Sequence, residues 1–292
     1  MYFWRDRMAN LDKFYTKPEI AKQCVHYLQE CITIADDDML LEPSAGCGNF
    51  LQALTDYNVI AYDLVPEGDN IIQQDFLKLE SEYKDYITIG NPPFGKRSKL
   101  AVQFFNKAAT MSKVIAFIIP NTFAKWSIQK NLAPGWKLIK TFDLPSNSFT
   151  NNGKDFQVNC LFQIWVREDQ PGEDCRLQYS PAISCDDFEC WQYNATQQAK
   201  KYVYEDWDYA FWRQGYNDYN NFFTKENKKQ VIDIVENTNK QMFFVKCNTP
   251  EAHDIIQSMD LNELAQSNLS TPGFGKADFV MYFLDLKNKK DL

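Results

Sequence analysis

The chain has 292 residues, a pI near 5.0 and a formal net charge of −8, with 45% hydrophobic, 24% charged and 15% aromatic residues. That is enough for one large domain or a large and a small one, and the apolar share is too high for a disordered polypeptide. The acidity excludes a general basic nucleic-acid-coating protein, and the longest apolar run, residues 114–119, is too short to span a bilayer.

In chain order, the periodicity predicts a helix over 18–30 with Thr16 as its N-cap, a strand over 39–42 and a helix over 49–54. Strands over 59–63, 70–74 and 86–90 follow, then a helix over 100–111 and strands over 114–119, 136–144 and 159–166. This alternation predicts an α/β domain with a seven-stranded, mostly parallel sheet covered on both faces. The last two strands are joined by 145–157, which has no helical pattern, so they read as an antiparallel hairpin at one edge. An acidic Pro-Gly stretch at 168–174 marks a boundary, giving domains 1–167 and 168–292. The second is expected to be a small α+β region, with a helix near 226–235 and strands near 241–247 and 278–286.

The first strand runs directly into Glu42-Pro43-Ser44-Ala45-Gly46-Cys47-Gly48-Asn49-Phe50. Glycines at a strand-to-helix turn let the backbone approach a ligand that a Cβ would exclude. Leu51 stands where a dinucleotide fingerprint has its third glycine, which disfavours a dinucleotide. Acids surround the turn instead: Glu42 before it, Asp63 at the end of the next strand, and Asp75-Phe76 after the third. Asp63 is placed to accept ribose hydroxyls, and Asp75 and Phe76 to meet an adenine amino group and ring face. Three acids without a phosphate-binding fingerprint suit S-adenosylmethionine, whose charged centres are cationic.

The fourth strand ends in Gly90-Asn91-Pro92-Pro93-Phe94-Gly95. An adenine amino group is a poor nucleophile because its lone pair is delocalised into the ring. Two acceptors on its N–H bonds, the Asn91 side-chain oxygen and the Pro92 carbonyl, favour a pyramidal nitrogen with the lone pair directed outward. The prolines stiffen the loop and add no competing donor, and Phe94 offers a face to an unstacked base. With these residues the chain resembles the N6-adenine DNA methyltransferases whose cofactor motif precedes the catalytic motif. The resemblance spans about residues 11–167 and rests on Phe14 to Pro18, Glu42 to Phe50, Asp63, Asp75-Phe76 and Asn91 to Phe94.

The resemblance implies a Rossmann-like methyltransferase fold, S-adenosylmethionine as cofactor, and methyl transfer to N6 of adenine in DNA. It implies catalytic roles for Asn91, Pro92, Pro93 and Phe94. Cofactor contacts are implied for Tyr15, Thr16, Glu42, Ser44, Ala45, Gly46, Gly48, Asn49, Phe50, Asp63, Asp75 and Phe76. An aromatic between the last two strands covers the other face of the base in this family, and spacing leaves Phe149 and Phe156 equal candidates. RNA is the close alternative substrate; a protein glutamine amide and a subunit without activity are further ones.

Charge distribution supports a polyanionic substrate. From Tyr86 to Phe142 there is no acid and nine bases, and Lys96, Arg97 and Lys99 directly follow the Asn-Pro-Pro-Phe loop. The acidic excess lies in 168–292, where 13 aromatics fall between Phe188 and Phe223; these read as packing of a small domain or a protein interface rather than as stacking on bases. Eight scattered cysteines without a C-x-x-C pair, and only two histidines, assemble no metal site from sequence neighbours, so no metal is expected. With no basic-then-apolar leader, the expectation is a cytoplasmic protein without membrane association.

Overall fold

A two-residue strand, β1 (Tyr15–Thr16), leads into α1 (Pro18–Cys31), β2 (Met39–Glu42), α2 (Asn49–Ala53), β3 (Asn58–Asp63), β4 (Ile72–Gln73) and β5 (Tyr86–Gly90). There follow α3 (Lys99–Ala108), β6 (Ser112–Pro120), α4 (Trp126–Gln129), β7 (Trp136–Asp143), β8 (Phe149–Asn151), β9 (Lys154–Phe156) and β10 (Cys160–Arg167). This is a computed structural model, and it describes residues 14–151, 153–266 and 272–290. The described residues form two compact units that divide between Gln178 and Tyr179.

The first unit is built on a seven-stranded sheet in the order β4-β3-β2-β5-β6-β10-β7. Strands β2 to β6 run parallel to one another, and β10 alone is antiparallel, pairing with both β6 and β7. This is the expected seven-stranded, mostly parallel sheet with an antiparallel pair at one edge. The central strands are apolar on both faces because helices cover both: all five residues of β5 are buried, as are eight of nine in β6. Helix α1 begins at a proline and buries Ile20, Ala21, Cys24, Val25 and Leu28, a stripe at helical spacing. Helix α3 does the same with Ala101, Phe104, Phe105 and Ala108.

Several expectations are corrected. Thr16 is not a helix cap: it lies in β1, and Lys17 takes the N-cap position of α1 with no side-chain bond. The strand expected over 70–74 shrinks to Ile72–Gln73, because only those residues find partners, Tyr62 and Asp63. The connection 145–157, which has no helix among its described residues, contains two short strands. Its β8 and β9 pair with each other and β8 pairs with β1, making a separate three-stranded antiparallel sheet. The acidic stretch read as a boundary lies against the edge strand: Lys137 donates to the Gln170 carbonyl, and the Cys175 amide donates to Leu138 O at 2.7 Å.

The second unit has a four-stranded antiparallel sheet of β11 (Phe188–Tyr193), β12 (Tyr209–Trp212), β13 (Phe222–Thr224) and β14 (Met242–Cys247), in the order β11-β14-β12-β13. Helices α5 (Lys228–Asn237), α6 (Pro250–Ser258), α7 (Leu261–Ala265) and α8 (Lys276–Lys290) complete it. Helix α8 replaces the strand expected over 278–286. The buried set is Phe279, Val280 and Phe283, while Met281 is 44% exposed. Helical spacing, not alternation, sorts these residues. Among the described residues no helix is long and apolar enough to cross a membrane.

Candidate active site

Strand β2 is flanked by β3 on one side and β5 on the other, and the chain leaves it first toward β4 and later toward β6. Such a reversal opens a crevice at the carboxyl ends of the strands. Here it is a cavity of about 600 Å³. Its wall brings together Asn91, Pro92, Pro93 and Phe94 with Tyr15, Thr16, Glu42, Ser44, Ala45, Gly46, Asn49, Phe50, Asp63, Asp75 and Phe76. Of the candidate cofactor residues only Gly48 lies off the wall; with φ +88° it stands at the N-terminus of α2 and its amide donates to Ala45 O.

The turn after β2 is shaped by its backbone. Gly46 has φ +54°, and a Cβ there would sit 3.4 Å from the Tyr15 ring. Asp63 holds this turn: one carboxylate oxygen accepts the Gly46 amide at 2.8 Å and the other accepts Val65 N at 2.7 Å. Its part is therefore to brace the turn. Asp75 accepts from Leu77 N at 3.2 Å, and the buried Phe76 ring packs against Phe104 at 5.3 Å. Asn49 Nδ2 donates to the Thr16 carbonyl at 2.7 Å, tying α2 to β1.

The catalytic tetrapeptide is anchored at both ends. Ser44 Oγ donates to the Asn91 carbonyl at 3.1 Å, and the Phe94 carbonyl accepts from the amides of Leu100 and Ala101. Asn91 Nδ2 donates to Phe14 O at 3.2 Å, which fixes the amide orientation and leaves Oδ1 buried without a partner. Two more wall atoms share that state, Thr16 Oγ1 and Glu42 Oε2. Glu42 is 2% exposed, and burial together with the Asp63 carboxylate pushes its pKa up to about 8. A buried polar atom without a partner is costly, and three on one wall fit a ligand that supplies the missing bonds.

The candidate substrate residues lie outside this wall. Lys96, Arg97 and Lys99 are exposed on the turn that follows Gly95, where Arg97 and Ser98 both take positive φ, +55° and +60°. Phe149 is fully buried beneath the small sheet and has no face to offer a substrate. Phe156 is 38% exposed, and its ring stacks on Phe14 at 4.4 Å and 19°, at the rim. The sequence pattern did not single out Glu67, which lines the cavity and accepts from Tyr15 Oη at 2.8 Å. Burial and Glu67 together raise the Tyr15 hydroxyl pKa. The available signal was a further acid in the same loop, four residues after Asp63.

No protein-family model and no curated protein matches the chain. Solved structures do. The modification subunit of a candidate type I restriction enzyme from Vibrio vulnificus YJ016 is 16% identical, with a TM-score of 0.40 over 57% of this chain and 48% of that one. A candidate RNA methyltransferase from Pyrococcus horikoshii is 17% identical, with a TM-score of 0.43 over 54% of this chain and 87% of that one. A candidate class I S-adenosylmethionine-dependent methyltransferase from Listeria monocytogenes is 13% identical, with a TM-score of 0.43 over 56% and 64%. The match spans about half the length of the Vibrio subunit.

Proposed function

We propose that the first unit is an S-adenosylmethionine-dependent methyltransferase acting on the N6 amino group of adenine in nucleic acid, with DNA as the substrate. The observation that carries this reading is Asn91 Oδ1, an oriented acceptor without a partner on the same cavity wall as Glu42 and Thr16. The cofactor, when bound, supplies a methyl group made electrophilic by its sulfonium.

The residues present fit that group. Glu42 is a buried acid that a cationic centre would return to its charged form, and Thr16 Oγ1 is a second unpaired atom. Tyr15 would help to hold the methionine end, Asp63 the ribose, and Asp75 and Phe76 the adenine end. On the substrate side, Asn91 Oδ1 accepts one N–H of the target amino group. That favours a pyramidal nitrogen whose lone pair leaves the ring and can form the new N–C bond. The resulting cationic nitrogen sheds a proton to solvent, so no strong general base is required. Phe94 on the cavity wall and Phe156, whose other face stacks on Phe14, are the aromatic candidates for an extruded base.

The test is methyl transfer from labelled S-adenosylmethionine to duplex DNA, single-stranded DNA and RNA offered side by side. Label on N6 of adenine in DNA is the expected result. Label confined to RNA would replace the substrate and keep the chemistry. Label on cytosine or on a protein amide, or none on any nucleic acid, would overturn the reading.

A further inference from the structure

Three donor groups of different chemistry meet in the second unit, outside the cavity. Asp208 immediately precedes β12, Cys247 is the last residue of β14, and His253 lies in the first turn of α6. One ligand atom from each, a carboxylate oxygen, Sγ and a ring nitrogen, falls within 4.8 Å of the other two. We propose that Asp208, Cys247 and His253 bind a divalent transition-metal ion, zinc before others, and that the ion ties α6 to the sheet.

The donor set selects the metal. Thiolate, imidazole and carboxylate together are the ligands of zinc, whose bonds of about 2.0–2.3 Å require only a small inward movement from the present separations. Magnesium and calcium take oxygen shells and have no use for a thiolate. Three protein ligands leave a fourth position to solvent.

Two of the donors are also held from behind, as metal ligands are. Gln257 Nε2 donates to Tyr209 Oη at 2.6 Å, and the same hydroxyl meets His253 Nδ1 at 2.9 Å. The phenol oxygen thereby holds the His253 imidazole in place from one side. The Cys247 amide donates to Asp208 Oδ2 at 2.8 Å, and the Asp208 amide donates to Val245 O at 2.8 Å, so the carboxylate is fixed to the strand that carries the thiol.

Binding forms the metal–sulfur bond and releases the thiol proton to solvent, which makes affinity rise with pH. Lys225 pairs with Asp208 Oδ1 at 2.9 Å, but it also reaches Asp206 at 3.3 Å and can remain there when the ion takes Asp208. Sequence spacing could not assemble this site, because Asp208 is 39 residues from Cys247 and only the β12–β14 pairing brings them together.

The experiment is cobalt(II) titration of the full chain after chelator treatment, read by the near-ultraviolet thiolate-to-cobalt band. One equivalent of cobalt displaced by one of zinc is expected, with the band lost in Cys247→Ser. Tyr209→Phe removes only the hydroxyl behind His253, and it is expected to weaken cobalt binding about 10–100-fold with the band retained at saturation. No band in the parent would overturn the proposal. A band unchanged in Cys247→Ser would place the metal on another thiol and overturn it equally. Should Cys247→Ser fail to fold, Tyr209→Phe decides, since an affinity within twofold of the parent removes His253 from the site.

Discussion

The two units differ in how they satisfy buried polar groups, although among the described residues each also leaves one elsewhere, Asn121 Oδ1 in the first and Arg213 Nε in the second. Around the cavity of the first, Thr16 Oγ1, Glu42 Oε2 and Asn91 Oδ1 are buried with no partner. In the core of the second, the polar tips of large aromatics are satisfied internally: Tyr193 Oη donates to Val235 O, Trp207 Nε1 to Val203 O, and Tyr219 Oη to Pro272 O. An unsatisfied buried group costs about 1–3 kcal/mol, so a wall holding three fits a ligand that supplies the missing bonds, whereas these aromatic tips need none. Phe188, Tyr193, Trp207, Tyr209, Phe211, Trp212 and Tyr219 are all buried against their own sheet and helices.

The contrast breaks most plainly where the aromatic core is opened. Trp207 is fully buried, with Phe244 5.7 Å away. Trp207→Ala is expected to destabilise the second unit by about 3–5 kcal/mol. Hydrogen exchange should show lower protection in β11 to β14 and unchanged protection in β2, β5 and β6. A fall across both sheets would mean the units do not have separate cores.

Asn91→Ala removes the oriented acceptor from the cavity. Turnover on adenine is expected to fall about 10²–10³-fold, with cofactor affinity by calorimetry nearly unchanged. An equal loss in cofactor binding would make Asn91 part of the cavity's structure rather than of its chemistry.

Glu42 supplies a pH test in the ligand-free protein. Its pKa is raised from 4.5 to about 8, so between those values the folded state holds a proton that the unfolded state has released. Stability therefore falls as pH rises through that window, at up to about 1.4 kcal/mol per pH unit for one proton, and levels above it. Glu42→Gln keeps the shape without the titration, and its denaturant midpoint should vary less between pH 5 and 8. Identical slopes in parent and variant would contradict a neutral buried Glu42.

The smallest effect belongs to the exposed bases. Neutralising Lys96, Arg97 and Lys99 should weaken binding of any DNA sequence and lower the slope of log affinity against log salt by about 0.9 for each phosphate left unneutralised. An unchanged slope would leave these residues as solvated surface.

Residue pattern alone determined more of the first unit than of the second. Strands β2 and β5 begin and end at the residues expected of them, because a central parallel strand is buried on both faces and its composition marks it out. The turn after β2 and the Asn-Pro-Pro-Phe loop were legible for a related reason: glycine and proline constrain the backbone locally, whatever surrounds them. Tertiary structure decided what depends on distant partners. It turned part of 145–157 into strands, one of which pairs with Tyr15 and Thr16, chose Phe156 over Phe149 as the ring left accessible, and gave Asp63 a turn to brace. It also made α8 a helix, because Val280 found a core to enter and Met281 did not. Alternation and helical spacing overlap in so short a segment, and only the packing surface that the rest of the chain presents can separate them.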